Sequence, residues 1–307
     1  MKKIISFLQL VRWQNLVFIA GTQLLYDYCI YLPIYQTHDS FQLGGLIAAS
    51  VCISAAGYII NDYFDLNIDQ INKPDRVVVN HGISRRWAIF LHLVLSLLGL
   101  FFTELVLPVH EYWYLILANM CTIILLWFYS TNFKKQMLIG NVIISLLTSW
   151  VILIVYFSKT PLSLHTIIGV DAKKISLFRL TMLYAGFAFI ISLIREVIKD
   201  MEDRIGDEKY GCRTMPIVWG LQASRVFVAV WLIVLTAALL LLQLYVIPFK
   251  WWWSIAYCLV AIIAPLLYVT FQIFRASTQQ DFHLLSKYVK WIMLAGILSM
   301  LFFKYYR

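Results

Sequence analysis

Charged residues are scarce in this chain, and no part of it has the composition of a soluble domain. Only 13% of the 307 residues are charged, 62% are hydrophobic, and the mean hydropathy is +0.79. These values lie well outside the usual range for soluble globular domains. The sequence also lacks a polar linker and a low-complexity tract. We therefore expect one membrane domain over residues 1–307 and exclude a soluble enzyme.

The cysteines give no indication of a metal site. The five cysteines do not have the spacing of a metal-binding motif, and four of them lie in apolar stretches; they are Cys29, Cys52, Cys121, Cys212 and Cys258. We interpret them as small hydrophobic residues of a helical core.

Long apolar runs are what the sequence has in quantity. A helix that crosses a bilayer needs about 20 mostly apolar residues. Nine stretches meet this requirement, near residues 14–33, 43–61, 88–107, 112–130, 138–157, 179–198, 224–246, 251–271 and 286–303. Their hydrophobicity is continuous and does not alternate every second residue, which favours helices over a β-barrel. The sequence thus predicts an all-α polytopic membrane protein with about nine transmembrane helices.

Lysine and arginine are unevenly divided between alternate connections. With a cytoplasmic N-terminus, 18 of the 25 basic residues fall on the cytoplasmic side and seven on the other. Cytoplasmic loops are enriched in lysine and arginine. We therefore expect a protein of the cell (inner) membrane with its N-terminus in the cytoplasm and its C-terminus outside. This topology and the anionic lipid headgroups explain the net charge of +9, so no nucleic acid partner is expected.

Carboxylates are concentrated in two connections that this topology places on the cytoplasmic side. Residues 62–87 and 195–223 hold ten of the sixteen acidic residues. Residues three, four and seven positions apart share one face of a helix. Two sets have this spacing: Asp62, Asp65 and Asp69, and Asp200, Asp203 and Asp207. Since one set follows span two and the other follows span six, two related halves around a central cavity are expected.

A divalent cation and a diphosphate would compensate such carboxylates, which are costly near hydrocarbon. Mg²⁺ typically binds one or two carboxylates together with the phosphates of a substrate. Basic residues nearby would suit the remaining phosphate oxygens; they are Lys73, Arg76, Lys134, Arg195, Lys199 and Arg204. The alternative is that these are solvated loop charges. That alternative does not explain two matching acidic sets 138 positions apart, counted from Asp65 to Asp203.

Several motifs carry a family resemblance over nearly the whole chain. "NDYFDLNID" at 61–69 matches the signature N-D-x-x-D-x-x-x-D, and "DMEDRIGD" at 200–207 matches D-x-x-D-x-x-x-D. "VRWQN" at 11–15, "NKPDR" at 72–76, "YSTNFKKQMLIGN" at 129–141 and "GCRTMPIVWG" at 211–220 agree as well. On these residues the chain resembles the UbiA superfamily of intramembrane prenyltransferases. One departure is Val77, where the family usually has proline; it concerns the local loop rather than the metal site.

The resemblance implies Mg²⁺-dependent transfer of a prenyl group from its diphosphate to a lipophilic or phosphorylated acceptor. It also implies a cavity that opens laterally to membrane lipids. By matching position it assigns the metal ions to Asp65, Asp69, Asp203 and Asp207, with Lys134 as a further catalytic residue. Substrate contacts are assigned to Asn61, Asp62, Asp200, Lys73, Arg76, Lys199, Asn15, Arg12 and Tyr129. For two of these another role is equally open: Asn15 as an interhelical hydrogen bond and Tyr129 in an aromatic belt.

The acceptor is open at this point. Arg195, Glu196, Lys199 and Asp200 resemble the lead-in of the family branch that attaches a geranylgeranyl group to geranylgeranylglyceryl phosphate. An aromatic quinone precursor such as 4-hydroxybenzoate or dihydroxynaphthoate is the alternative acceptor. An ion-coupled transporter is the non-enzyme alternative, but it predicts carboxylates near mid-span. A phosphatidyl-alcohol phosphotransferase would need one continuous D-G-x-x-A-R motif, which the sequence lacks.

Overall fold

The structure, a computed structural model, describes residues 2–74, 78–79, 82–160 and 172–306. Within these residues nine helices are long and apolar enough to cross a membrane. They are α2 (Trp13–Tyr35), α3 (Ser40–Asn72), α4 (Arg85–Val106), α5 (Val109–Thr131), α6 (Ile139–Lys159), α7 (Ala172–Lys209), α9 (Gly220–Phe249), α10 (Trp252–Gln272) and α11 (Gln279–Tyr306). Two shorter helices, α1 (Lys2–Leu10) and α8 (Met215–Val218), complete the series. The predicted all-α polytopic fold is confirmed.

Two helices are much longer than their apolar segments. α3 has 33 residues and α7 has 38, which correspond to about 50 Å and 57 Å of helix. The hydrocarbon core of a bilayer is only about 30 Å thick. The assignment of the acidic residues to connections over 62–87 and 195–223 was therefore wrong for the two aspartate sets, because residues 62–69 and 200–207 lie in the last turns of α3 and α7. The helical face that their spacing predicted is present. Hydropathy falls where a helix leaves hydrocarbon, whether or not the helix ends there.

The outer surface of the bundle is apolar, as lipid contact requires. On α4, for example, Leu93, Leu97 and Phe101 are all exposed and follow one another every fourth residue. Residues with this spacing form one stripe along a helix. The nine spans and this surface identify an integral membrane protein.

The interior is held by close helix packing and by interhelical hydrogen bonds. α4 packs along α3, where a Cβ on Gly99 would lie 2.5 Å from Cγ1 of Ile53. Small residues allow such close approach in membrane bundles. The buried Gln23 of α2 donates from Nε2 to Ser50 Oγ at 2.8 Å and to the carbonyl oxygen of Val151 at 3.0 Å. One side chain thus joins α2, α3 and α6.

The cysteines divide between the core and the surface. Cys29, Cys212 and Cys258 are buried, Cys52 is half-buried and Cys121 is exposed. The core assignment is wrong for Cys121, because it lies on the outward face of α5, where the periodicity of an apolar helix does not reveal which side meets lipid.

A cavity of about 770 Å³ lies inside the bundle. Its walls come from α2, α3, α5, α6, α7 and α11, and its lining includes both aspartate motifs. Apolar side chains such as Ile53, Leu147, Ile191 and Met293 line its other parts. The predicted central cavity is confirmed.

Candidate active site

The acidic face of α3 points into the cavity. Asn61, Asp62, Asp65 and Asp69 all line it. Because α3 continues unbroken to Asn72, the three- and four-residue spacing places these side chains on one side of a rigid helix.

The acidic face of α7 meets the same cavity from the other side. Asp200, Asp203 and Asp207 line it, and the charges of Asp65 and Asp207 lie close enough to act on each other. The structure therefore brings together the two sets of carboxylates that were predicted to face one another.

Asn72, the last residue of α3, connects the two motif helices. Its Nδ2 donates to the carbonyl oxygen of Asp203 at 2.9 Å, and its Oδ1 accepts from the backbone N–H of Gly206, also at 2.9 Å. A Cβ on Gly206 would lie 2.5 Å from Asn72 Oδ1. The glycine thus permits the close approach of α7 to the end of α3.

Each aspartate face has one aspartate that forms an ion pair with a lysine. Lys134 Nζ donates to Asp65, and Lys73 Nζ donates to Asp203 Oδ2 at 2.6 Å and lies 3.7 Å from Glu202 Oε1. Burial alone would lower the pKa of Lys73, but the carboxylates of Asp203 and Glu202 outweigh it and raise this pKa above its ordinary value. Lys73 is therefore a cation beside the acidic face of α7.

The short connection before α6 carries Lys134 to this position. Lys134 lies in a 3₁₀ turn, Phe133–Lys135, and Leu138 follows with a positive φ of 62°. A Cβ on Gly140 would lie 2.8 Å from the carbonyl oxygen of Phe133 and from Cα of Lys134. Only glycine lets the turn fold back this closely onto the start of α6.

The other aspartates of the motifs have specific partners as well. Arg12 Nη2 donates to Asp62 Oδ1 at 2.6 Å, and this carboxylate raises the pKa of Arg12 above its ordinary value. Asn141 Nδ2 donates to Asp200 Oδ2 at 2.8 Å. These contacts hold Asp62 and Asp200, the first aspartate of each motif, and Asp65, Asp69, Asp203 and Asp207 follow them along the two helices.

The remaining predicted substrate contacts are placed as follows. Tyr129 lines the cavity. Lys199 Nζ donates to both carboxylate oxygens of Glu196, at 3.0 and 2.9 Å. Asn15 Oδ1 accepts from Lys290 at 2.8 Å, which makes the interhelical hydrogen bond that was one of its two possible roles. Arg76 lies outside the described residues.

The oxygen atoms of these side chains are suitable ligands for a divalent cation whose coordination is completed by the phosphates of the substrate. Asn61 Oδ1 and Asp203 Oδ1 are buried oxygens without a hydrogen-bond partner in the described structure. Buried polar atoms are rarely left unpaired. Among the described residues no three His, Cys, Asp or Glu side chains converge as a complete metal cage. Mg²⁺ does not need such a cage, because it keeps waters and uses substrate phosphates as ligands.

Sequence reasoning missed several residues of the cavity. Asn72 and Asn141 were not assigned a role, although each bonds to a motif helix. Glu196 was named only as part of the lead-in, and its ion pairs with Arg195 and Lys199 were not predicted. Lys290 was counted only toward topology, although a lysine inside an apolar span is itself a signal of function. Its place in the cavity required the tertiary packing of α11.

Cys212 was not predicted to line the cavity, because from the sequence it was assigned only to the helical core. It lines the cavity, and burial, followed by the charge of Asp207, raises the pKa of its thiol to about 11. A thiol with this pKa stays protonated at neutral pH, so Cys212 is not an activated nucleophile.

Comparison with known proteins identifies the family of this chain. The profile of the UbiA prenyltransferase family matches residues 28–294. This chain belongs to that family. Digeranylgeranylglyceryl phosphate synthase of Methanosphaera stadtmanae is 29% identical over 259 residues, which are 83% of this chain and 86% of that protein. UbiA prenyltransferases transfer prenyl groups, and this chain is a prenyltransferase.

Solved structures of UbiA proteins share the fold. A structure of a digeranylgeranylglyceryl phosphate synthase is 24% identical, with a TM-score of 0.62, and covers 98% of this chain and 99% of its own. A UbiA homologue from Archaeoglobus fulgidus, bound to DMAPP and Mg²⁺, is 16% identical with a TM-score of 0.60 and covers 94% of this chain and 98% of its own. These likenesses support the helical bundle of the UbiA family for this chain.

Proposed function

We propose that this prenyltransferase transfers a geranylgeranyl group from its diphosphate to the free hydroxyl of geranylgeranylglyceryl phosphate. The observation that carries this proposal is the meeting of two aspartate faces, each with a paired lysine, on one apolar cavity. The acceptor and the donor chain length rest on the relatives, which are named digeranylgeranylglyceryl phosphate synthases.

The aspartate faces would hold the diphosphate end of the donor through divalent cations. Asp65, Asp69, Asp203 and Asp207 would bind Mg²⁺, with the unpaired oxygen of Asn61 close to them. Bound Mg²⁺ would neutralise the diphosphate and so make it a better leaving group. The Mg²⁺ and DMAPP bound by the Archaeoglobus fulgidus homologue support this assignment.

Two lysines and the apolar walls of the cavity have separate roles in the proposed reaction. The ammonium groups of Lys73 and Lys134, which pair with Asp203 and Asp65, would stabilise negative charge on the departing diphosphate. The bond between the donor carbon and its diphosphate oxygen breaks, and diphosphate leaves with the bonding electron pair. The acceptor hydroxyl oxygen bonds to that carbon, and its proton would pass to the released diphosphate. The apolar walls around Ile53, Leu147 and Ile191 accommodate the prenyl tail and exclude water from the allylic cation.

We base the proposed membrane topology of the protein on the distribution of its basic residues. The N-terminus and both aspartate motifs face the cytoplasm, the C-terminus lies outside, and residues 1–307 form one domain. Membrane lipids surround the bundle, and the acceptor reaches the cavity from them.

The proposal is tested with the purified full-length protein, labelled geranylgeranyl diphosphate, Mg²⁺ and a panel of acceptors. The panel contains geranylgeranylglyceryl phosphate, 4-hydroxybenzoate and dihydroxynaphthoate. We expect transfer to the first, and its loss in Asp65→Asn but not in Glu104→Gln, which alters an exposed acid on α4. Transfer to an aromatic acid alone would overturn the proposed identity of the acceptor. Equal activity of the wild type and Asp65→Asn would overturn the assigned site.

A further inference from the structure

Four further charged side chains line the cavity apart from the two aspartate faces and the basic residues paired with them, which are Arg12, Lys73 and Lys134. Arg195, Glu196 and Lys199 lie on α7, and Lys290 lies on α11. We call these residues the second charged cluster. Three cations and one carboxylate give the cluster a net charge of +2 when all four side chains are ionised.

Glu196 compensates only part of this positive charge. It lies 2.9 Å from Lys199 Nζ and 3.4 Å from Arg195 Nη1. Nε of Arg195 is buried and has no hydrogen-bond partner in the described structure. The guanidinium group is therefore not saturated with acceptors in this arrangement.

Lys290 has no carboxylate partner among the residues that the structure describes. Its Nζ donates to the neutral amide oxygen of Asn15 at 2.8 Å and lies 5.3 Å from the ring centroid of Phe18. The charges of Arg195 and Lys199 also act on it. Like charges gathered inside a transmembrane bundle are costly. An anion in this part of the cavity would remove that cost.

The anion at this place differs from the diphosphate of the donor. Arg195 precedes Asp203 by eight residues on α7, so these two positions are about 12 Å apart along the helix axis, whereas Lys199 precedes Asp203 by four residues, or about 6 Å. A diphosphate held at Asp203 and Asp207 therefore leaves Arg195, at the far end of the cluster, for another group.

We propose that Arg195, Lys199 and Lys290 bind the phosphate monoester of the acceptor. This inference rests on the proposed function and assigns the acceptor end of the same cavity. A phosphate monoester carries about −1.5 to −2 charges at neutral pH, which matches the net charge of the cluster. The carboxylate of an aromatic acid carries only one. The acceptor hydroxyl is a few bonds from its phosphate, so binding of the phosphate at the cluster would hold the hydroxyl in the cavity that the aspartate faces line.

The test compares Lys290→Gln with Lys287→Gln in the purified full-length protein. Lys287 lies on the same helix but is exposed and outside the cavity. Removing one charge-assisted hydrogen bond to phosphate should raise KM for geranylgeranylglyceryl phosphate by about 10- to 100-fold. KM for geranylgeranyl diphosphate should stay unchanged, and Lys287→Gln should behave like the wild type. Lys290→Arg, which keeps the charge, should recover most of the loss.

A second arm uses geranylgeranylglycerol, which has the same lipid but no phosphate. Its inhibition constant against the phosphorylated acceptor should be the same for the wild type and Lys290→Gln. The inference is overturned if Lys290→Gln leaves the acceptor KM unchanged, or if KM for the donor rises in parallel. An inactive wild type would instead contradict the proposed function, so the two failures are distinguishable.

Discussion

Asn72 and Gly206 set the separation of the two aspartate faces. The backbone N–H of Gly206 donates to Asn72 Oδ1 at 2.9 Å, and a Cβ at position 206 would lie 2.5 Å from that oxygen. The amide group of Asn72 also donates to the carbonyl oxygen of Asp203. Because the side chain of Asn72 bonds to two backbone groups within one turn of α7, a shift at this contact moves Asp203 and Asp207 together relative to α3.

Gly206→Ala should therefore separate the faces and lower both stability and activity. Overpacking of a filled contact costs about 1–3 kcal/mol. We expect a lower melting temperature in detergent and a reduced kcat/KM for the donor. Gly186→Ala is the matched control, because it lies on the same helix and a Cβ there meets nothing within 4 Å. Wild-type behaviour of Gly206→Ala would show that the contact yields without moving the carboxylates.

The sequence was sufficient to predict the facing carboxylates but not what positions them. The spacing of Asp62, Asp65 and Asp69 is a local property of a helix, and it can be read without tertiary structure. Asn72 and Gly206 meet over 134 positions, and nothing in their local sequence indicates the contact. The helix ends were also misplaced, because the apolar signal stops at the membrane boundary while the backbone hydrogen bonds of α3 continue to Asn72.

The second charged cluster could likewise be predicted from the sequence only in part. The lysine and glutamate at positions 199 and 196 are three residues apart, so their ion pair is predictable from helix geometry. Lys290 comes from a helix more than 90 positions away. Its approach to Asn15 depends on how α11 packs against α2, which hydropathy does not specify.

Removal of divalent cations should abolish transfer, and added Mg²⁺ should restore it. Asp203→Asn should raise the Mg²⁺ concentration needed for half-maximal rate by at least about tenfold, since it removes a charged ligand. The measurement is a Mg²⁺ titration at saturating donor and acceptor. Glu104→Gln provides the control outside the cavity, and full activity of the wild type in excess chelator would contradict the metal assignment.

Lys134→Gln should weaken use of the donor. Its ammonium group pairs with Asp65 beside the proposed diphosphate position, and a charge-assisted hydrogen bond is worth about 1.5–3 kcal/mol. We expect kcat/KM for the donor to fall by about 10- to 100-fold, while KM for the acceptor stays unchanged. Lys135→Gln is the matched control, because Lys135 is adjacent in sequence but exposed. An equal fall in both variants would indicate a general effect of charge instead.

Gly140→Ala should reproduce the loss seen in Lys134→Gln without changing any charge. The added Cβ would lie 2.8 Å from both the Phe133 carbonyl oxygen and Cα of Lys134, so the turn must move and carry the ammonium group away from Asp65. If displacement of Lys134 is the whole effect, the double variant should be no worse than Lys134→Gln alone, because neighbouring changes that act through one group are not additive. Steady-state rates of the wild type, both single variants and the double variant measure this coupling. Strictly additive losses would mean that Gly140 supports the site by a route other than Lys134, such as the bond between its neighbour Asn141 and Asp200.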